Sequence, residues 1–118
     1  MTTPRRQPRK REPSIKSPHI KPIPPGDFHR RLKGIEKFVR LDLMERLEKA
    51  ASKTNKISDV LRSAINSCLE DRANPDLTIA ADYSHAIMYG CFPAGRLLCE
   101  RYASYLLQNK ISTPEPQR

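Results

Sequence analysis

Prolines and cations crowd the N-terminal end of this 118-residue chain and limit what that end can fold into. Seven of the eleven prolines lie among the first 25 residues, where large apolar side chains are scarce. Proline removes a backbone donor and keeps the preceding residue extended, and neighbouring like charges repel one another. Residues 1–26 are therefore predicted to be a disordered basic tail outside the core. About 90 residues remain to fold, a size at which folding alone is marginal and a shared dimer core is favourable.

Net positive charge is confined to the first third of the chain. Residues 1–40 contain twelve Lys/Arg and three Asp/Glu, a net charge of +9, whereas residues 41–118 contain ten of each. A neutral body with a cationic arm favours a polyanionic partner, because binding releases counterions from a phosphate backbone. Nucleic acid is the leading candidate. The densest run of cations, which also has the composition of a nuclear localisation signal, is predicted to contact phosphates: Arg5, Arg6, Arg9, Lys10 and Arg11.

Membrane and secreted proteins find little support in the sequence. No apolar run approaches the roughly 18 residues needed to span a bilayer, and no apolar segment follows the N-terminal charges. We therefore expect no membrane partner and a cytoplasmic, nucleoid-associated location, or a nuclear one if the source is eukaryotic or viral.

Enzymatic chemistry has no recognisable motif. The chain has no glycine-rich phosphate loop, no HExxH and no nucleophile elbow. Its three cysteines cannot all pair within one chain and match no zinc-knuckle spacing with His85, so they are expected to be buried free thiols in a reducing compartment: Cys68, Cys91 and Cys99. No enzyme activity, cofactor or metal is expected.

The segment that begins at Asp27 carries two competing patterns. Its apolar residues recur with helical spacing, which predicts one long helix to about Thr54: Phe28, Leu32, Ile35, Val39, Leu43 and Leu47. Residues 37–41 are nevertheless rich in β-forming side chains, and Asp42 suits the N-cap of a helix that begins at Leu43. The sequence alone leaves both open.

Further helices are predicted downstream. The first helix should stop near Asn55, and Ser58 is expected to cap a second helix, ending near Arg72, with the clearest apolar stripe in the chain: Val60, Leu61, Ala64, Ile65, Cys68 and Leu69. Another helix is expected to start at Asn74-Pro75 and stop before Gly90. A last helix is predicted between about residues 93 and 109. The tyrosines are expected in the core or an interface: Tyr83, Tyr89, Tyr102 and Tyr105.

Two adjoining stretches carry a family resemblance. Residues 56–65, KISDVLRSAI, are similar to a helix in which a capping Ser/Thr precedes an acid, two aliphatics, often Arg, and then Ala-Ile. Residues 38–42, FVRLD, precede residues 43–51 as a strand precedes a first helix. Together, residues 35–71 resemble the ribbon-helix-helix (Arc/MetJ-type) DNA-binding proteins. The chain departs from that family because two or three residues are missing between strand and first leucine pair, and the strand does not alternate cleanly.

The resemblance implies a mainly α fold in which a homodimer pairs one short strand from each chain into a ribbon that enters the DNA major groove. Phe38 and Arg40 would then face DNA, with Lys37 near a phosphate. Lys56 and Ser58 would present the N-terminus of the second helix to another phosphate. The core shared between the two chains would contain Leu47, Val60, Leu61, Ala64, Ile65 and Leu69.

The predicted organisation has four parts: the tail 1–26, a ribbon-helix-helix unit 27–72, a C-terminal helical pair 73–110 and a frayed end 111–118. The helical pair exceeds what the DNA-binding unit needs and suits oligomerisation or docking of a protein partner through residues 75–109.

The main functional hypothesis is a double-stranded-DNA-binding homodimer acting as a transcriptional repressor, plasmid partition factor or conjugation accessory factor. One alternative is an all-helical interaction protein whose basic tail binds RNA or an acidic protein. Another is a packaging or nucleoid protein without sequence preference. Residues 37–41 discriminate between ribbon and all-helical forms.

Overall fold

The computed structural model describes residues 20–112, and these residues form five α-helices. The helices are α1 (Pro25–Arg31), α2 (Lys37–Ala51), α3 (Ile57–Asp71), α4 (Thr78–Met88) and α5 (Gly95–Ser112). Helices α2 to α5 pack around one apolar core, and α1 covers it near α2 and α5. Within residues 20–112 there is no strand.

The predicted ribbon-helix-helix fold is therefore wrong, although the class is mainly α. Residues 37–41 form the first turn of α2, and Asp42 lies inside that helix instead of capping it. The reason is long-range packing, because Val39, Leu43 and Leu47 repeat at a helical interval and are all at most 1% exposed. A lone strand has no partner within its own chain, whereas a helix satisfies its backbone internally and buries this stripe. Tertiary burial outweighs the local β-propensity of residues 37–41.

The alternative prediction, one continuous helix to about Thr54, is also wrong, because the chain breaks between α1 and α2. Between α1 and α2 the chain turns at Leu32–Glu36, where Ile35 N–H donates to the Leu32 carbonyl at 3.0 Å. Gly34 adopts φ +94°, a left-handed conformation that glycine adopts without a Cβ penalty. Phe28 and Leu32 are still buried, so their spacing correctly predicts which side chains face the core.

The connection from α2 to α3 differs from its prediction at both ends. Helix α2 stops at Ala51, four residues before Asn55, and the Lys110 ammonium donates to the Ala51 carbonyl at 2.7 Å and to the Thr54 carbonyl at 3.1 Å. A cation at a helix C-terminus satisfies carbonyls that have no helical partner. Helix α3 begins at Ile57, so Ser58 is inside the first turn, and no side chain caps this helix. Its predicted end is confirmed at Asp71.

The segment Asn74-Pro75 forms a turn before α4 instead of its first residues. The Asn74 side-chain oxygen accepts a hydrogen bond from Asp76 N–H at 2.9 Å, which is an Asx turn. The Thr78 hydroxyl donates to the Asn74 and Arg72 carbonyls, and α4 starts there. Helix α4 ends at Met88, and Gly90 follows with φ +87°.

The core reaches further toward the N-terminus than expected. Ile23 is 2% exposed, and its N–H donates to the Arg101 carbonyl at 3.2 Å. The expectation that the first 25 residues stay out of the core is thus wrong at this position. Phe28 stacks on Tyr102 at 4.5 Å between ring centroids, and the Tyr102 hydroxyl donates to Glu48 at 2.7 Å.

The core that the sequence assigned to a dimer is largely closed within one chain. Leu47, Val60, Leu61 and Ala64 are buried there, whereas Ile65 is half-buried and Leu69 is 47% exposed. Folding therefore does not require a second chain to cover these residues. Of the tyrosines, Tyr102 is buried, Tyr105 is half-buried, and Tyr83 and Tyr89 are exposed.

Candidate nucleic-acid interface

Within residues 20–112, the residues predicted to contact DNA fall into two separate groups. Arg5, Arg6, Arg9, Lys10 and Arg11 lie outside the described residues. Lys37, Phe38 and Arg40 are in the first turn of α2, whereas Lys56 and Ser58 lie beyond its other end. Because α2 has 15 residues, it is about 22 Å long, and it separates these two groups.

Arg40 does not project into solvent as the ribbon hypothesis required. Its side chain is half-buried against α1, where Nη1 donates to the His29 carbonyl at 3.3 Å. Its Nε atom is buried and has no hydrogen-bond partner among the described residues. The ribbon that would carry Arg40 into a major groove is absent from residues 20–112, so that geometry is wrong, whereas a DNA contact by Arg40 itself stays a prediction.

Exposed cations do collect where α1 meets α2. Arg31, Lys33 and Lys37 are all exposed, and within residues 20–112 none has a carboxylate within ion-pair distance. Phe38 and Leu41, one helical turn apart, are 50% and 48% exposed beside them. We call these five residues the α1–α2 corner. A surface with free cations and an apolar patch suits an anionic partner.

The start of α3 is a weaker anion site than the sequence suggested. Lys56 and Ser58 are exposed there, but Asp59 occupies the same first turn. The Asp59 carboxylate lies 3.6 Å from the Arg62 guanidinium. A carboxylate in the first turn already interacts favourably with the positive end of the helix dipole and opposes a second anion.

A buried polar network joins three helices, and the sequence did not predict it. Arg46, 7% exposed, donates from Nε to Asp42 at 2.7 Å and from Nη1 to Asp71 at 2.8 Å and Ser67 at 3.0 Å. The Ser84 hydroxyl donates to Asp42 at 2.8 Å. The Arg46 guanidinium thus ties α3 to α2, and the Asp42 carboxylate ties α4 to the same network. The Asp42–Arg46 spacing of four residues was a visible signal, whereas the bond to Ser84 spans 42 residues and has none.

The electrostatics of this network are those of a structural ion pair. Burial lowers the pKa of Arg46, but its hydrogen bonds to Asp42 and Asp71 outweigh that effect and raise the pKa above its ordinary value. Burial raises the pKa of the nearby Cys68 thiol to about 11, with the Arg46 charge opposing it. The thiol is therefore neutral near pH 7 and unsuited to nucleophilic chemistry.

A groove of about 400 Å³ lies between α2 and α3 and is closed at one end by Leu77. Its wall contains the Arg46 network, and its rim carries charges of both signs: Glu45, Lys49, Lys53 and Glu70. Its lining contains four acidic and three basic side chains, so it has no concentration of cations comparable to the α1–α2 corner.

A second exposed surface lies where α3 meets α4. Leu69, Leu77 and Ile79 are 47%, 37% and 61% exposed at the ends of the two helices and in the turn between them. Glu70 and Asp76 adjoin Leu69 and Leu77 in sequence and have no ion-pair partner in residues 20–112, and Glu70 lines the same groove as Leu77. We call these five residues the α3–α4 corner. Its other acids are already paired, since Asp71 binds Arg46 and Asp82 lies 3.1 Å from Arg72.

The cysteine prediction holds in part. Cys68 and Cys99 are buried free thiols, and Cys91 is free but exposed. Burial also raises the pKa of Cys99, to about 12. In the described part of the chain no group of three His, Cys, Asp or Glu side chains is placed to hold a metal ion.

Comparison with protein-family models, with curated proteins and with solved structures finds no significant match to this chain. From residue 20 to residue 112, none of the helices is both long and apolar enough to cross a bilayer. The features of this chain that bear on a function are the two corners and the charge distribution.

Proposed function

We propose that this chain is a nucleic-acid-binding protein that contacts phosphates through its cationic N-terminal third and does not read base sequence. The observation that carries the proposal is the α1–α2 corner, with three exposed cations that no described carboxylate neutralises. Residues 20–40 carry a net charge of +4, whereas residues 41–112 contain nine Lys/Arg and nine Asp/Glu. Five more Arg/Lys from residues 5–11 extend the same charge along the sequence.

The contacts of the described cations support the absence of base reading. Lys33 and Lys37 are exposed and have no ion-pair partner within residues 20–112, which suits contact with a phosphate backbone. Arg40, the side chain best suited to a guanine edge, is held by the His29 carbonyl. Within residues 20–112 there is no ribbon that could place another side chain in a groove.

An acidic protein partner is a second candidate, and Phe38 and Leu41 favour it. Phosphate contacts do not use apolar side chains, yet these two lie beside the cations and are about half exposed. An acidic amphipathic helix offers both kinds of contact.

Fluorescence anisotropy with the full chain distinguishes these possibilities. The probes are short labelled DNA duplexes of unrelated sequence, an RNA hairpin and polyglutamate, each in a salt series. We expect similar affinity for all duplexes and a steep loss with salt, because counterion release supplies the affinity. No nucleic-acid binding at low salt contradicts the proposal, and binding to polyglutamate alone favours the acidic partner. A preference of about a thousandfold for one duplex overturns the absence of base reading.

A further inference from the structure

Both corners combine exposed apolar side chains with charged side chains, and the sign of the charge is opposite in the two. The α1–α2 corner combines exposed Phe38 and Leu41 with three cations that have no ion-pair partner among residues 20–112. The α3–α4 corner combines three exposed aliphatic side chains with Glu70 and Asp76, which likewise have no ion-pair partner in that range. Exposed apolar patches rimmed by charge are typical of protein interaction sites, and charge complementarity selects the partner and its orientation.

Within one chain the two corners are held apart. Phe38 and Arg46 are on the same helix, eight residues and so about 12 Å apart along its axis. Asp71, at the end of α3, is bound to Arg46, and Asp82 in α4 is bound to Arg72. Both corners are thus fixed on one packed body and cannot be laid face to face in the same molecule.

We propose that the α3–α4 corner of one copy docks on the α1–α2 corner of a second copy. Glu70 and Asp76 then face Lys33, Lys37 and Arg31, and the apolar side chains of the two corners pack between them. The occupant is a second copy because the chain itself presents both halves of a complementary pair. The shared leucine core expected from the sequence is not involved, since those leucines are mostly buried within one chain.

Charge exchange tests this docking. K33E/K37E makes the α1–α2 corner acidic, and E70K/D76K makes the α3–α4 corner basic; all four positions are exposed. Each variant alone opposes like charges, so we expect self-association of the full chain to weaken roughly tenfold or more. An equimolar mixture of the two variants places opposite charges together and should restore association. Sedimentation velocity over a concentration series, at low salt and without nucleic acid, measures both effects.

The matched control is K56E/R62E, which changes the same number of exposed cations outside both corners and outside the groove that Glu70 lines. It should associate like the original chain. Should a charge variant lose its helical circular dichroism, Phe38→Ser and Ile79→Ser repeat the test, since both side chains are at least half exposed.

Four outcomes overturn the docking. They are a chain that stays monomeric throughout, an equal loss in the control, weakening by only one of the two corner variants, and a mixture that does not recover. Since no nucleic acid is present, these results are independent of the proposed phosphate binding. Conversely, a chain that self-associates but binds no duplex contradicts only the proposed function.

Discussion

The α1–α2 corner and the Arg46 network both contain cationic side chains, but in opposite circumstances. At the corner, Lys33 and Lys37 are exposed and have no carboxylate partner within residues 20–112. In the network, one guanidinium is 7% exposed and is bound by two carboxylates and a hydroxyl. The comparison separates charge that is available to a partner from charge that is used to hold the fold.

Substitutions in the two regions should therefore affect different properties: stability in the Arg46 network and partner binding at the α1–α2 corner. Removing one member of a buried ion pair leaves an uncompensated charge and costs several kcal/mol, whereas removing an exposed cation costs little stability. Partner binding should respond in the reverse order, because only exposed and unpaired cations displace counterions.

Arg46→Ala should lower stability much more than the loss of an exposed cation. It leaves Asp42 and Asp71 without their main partner, and because Asp71 is 35% exposed we expect the free energy of unfolding to fall by about 2–4 kcal/mol. Urea denaturation measures this, with Lys33→Ala as the exposed control, for which about 0.5 kcal/mol or less is expected. If the two variants unfolded at the same urea concentration, the buried network would have no structural role.

Ile23→Ala should have the next largest effect on stability. It tests whether the core extends into the cationic N-terminal region as far as Ile23. Ile23 is 2% exposed, and truncating a buried isoleucine leaves a cavity. We expect a loss of about 2–3 kcal/mol, within the range for truncating a buried isoleucine. The exposed neighbour Pro22→Ala is the control. An unfolding free energy unaffected by Ile23→Ala contradicts the core contact.

The Cys68 thiol should make stability fall at high pH. Its pKa is about 11 in the folded chain and 9.0 ordinarily, so the unfolded chain ionises first. The contribution is fully present below pH 9 and is lost as the pH rises toward 11. Cys68→Ala should have lower stability overall but a flatter dependence over that interval. Urea denaturation of both proteins below pH 9 and near pH 11 tests this, and parallel curves contradict it.

Much of the helical organisation could be predicted from periodicity. The stripe from Val60 to Cys68 identified α3, and the spacing of Phe28, Leu32 and Val39 indicated burial on both sides of the break at Gly34. Residues 37–41 were wrongly assigned to a strand because local β-propensity carries no information about the core that Val39 joins. Ser58 looked like a cap because its side chain suits one, yet α3 begins one residue earlier.

The candidate site divides in the same way. Clustered charge is visible in the sequence, so Lys37 could be predicted as a phosphate contact from the sequence alone. The hydrogen bond from Arg40 to α1 could not be predicted from the sequence, because it depends on the position of the His29 carbonyl, eleven residues away. The α3–α4 corner was missed because the apolar stripe placed Leu69 in a core, whereas that side chain is 47% exposed.

The salt dependence of DNA binding tests most directly the claim that the α1–α2 corner carries available charge. The full chain is compared with K33A/K37A and with K49A/K53A, which removes two exposed lysines from the other end of α2. Each lost phosphate contact lowers the slope of log affinity against log salt by about 0.9, so we expect K33A/K37A to reduce it by up to about 1.8. The control should keep the original slope. Equal slopes for all three proteins would contradict the account.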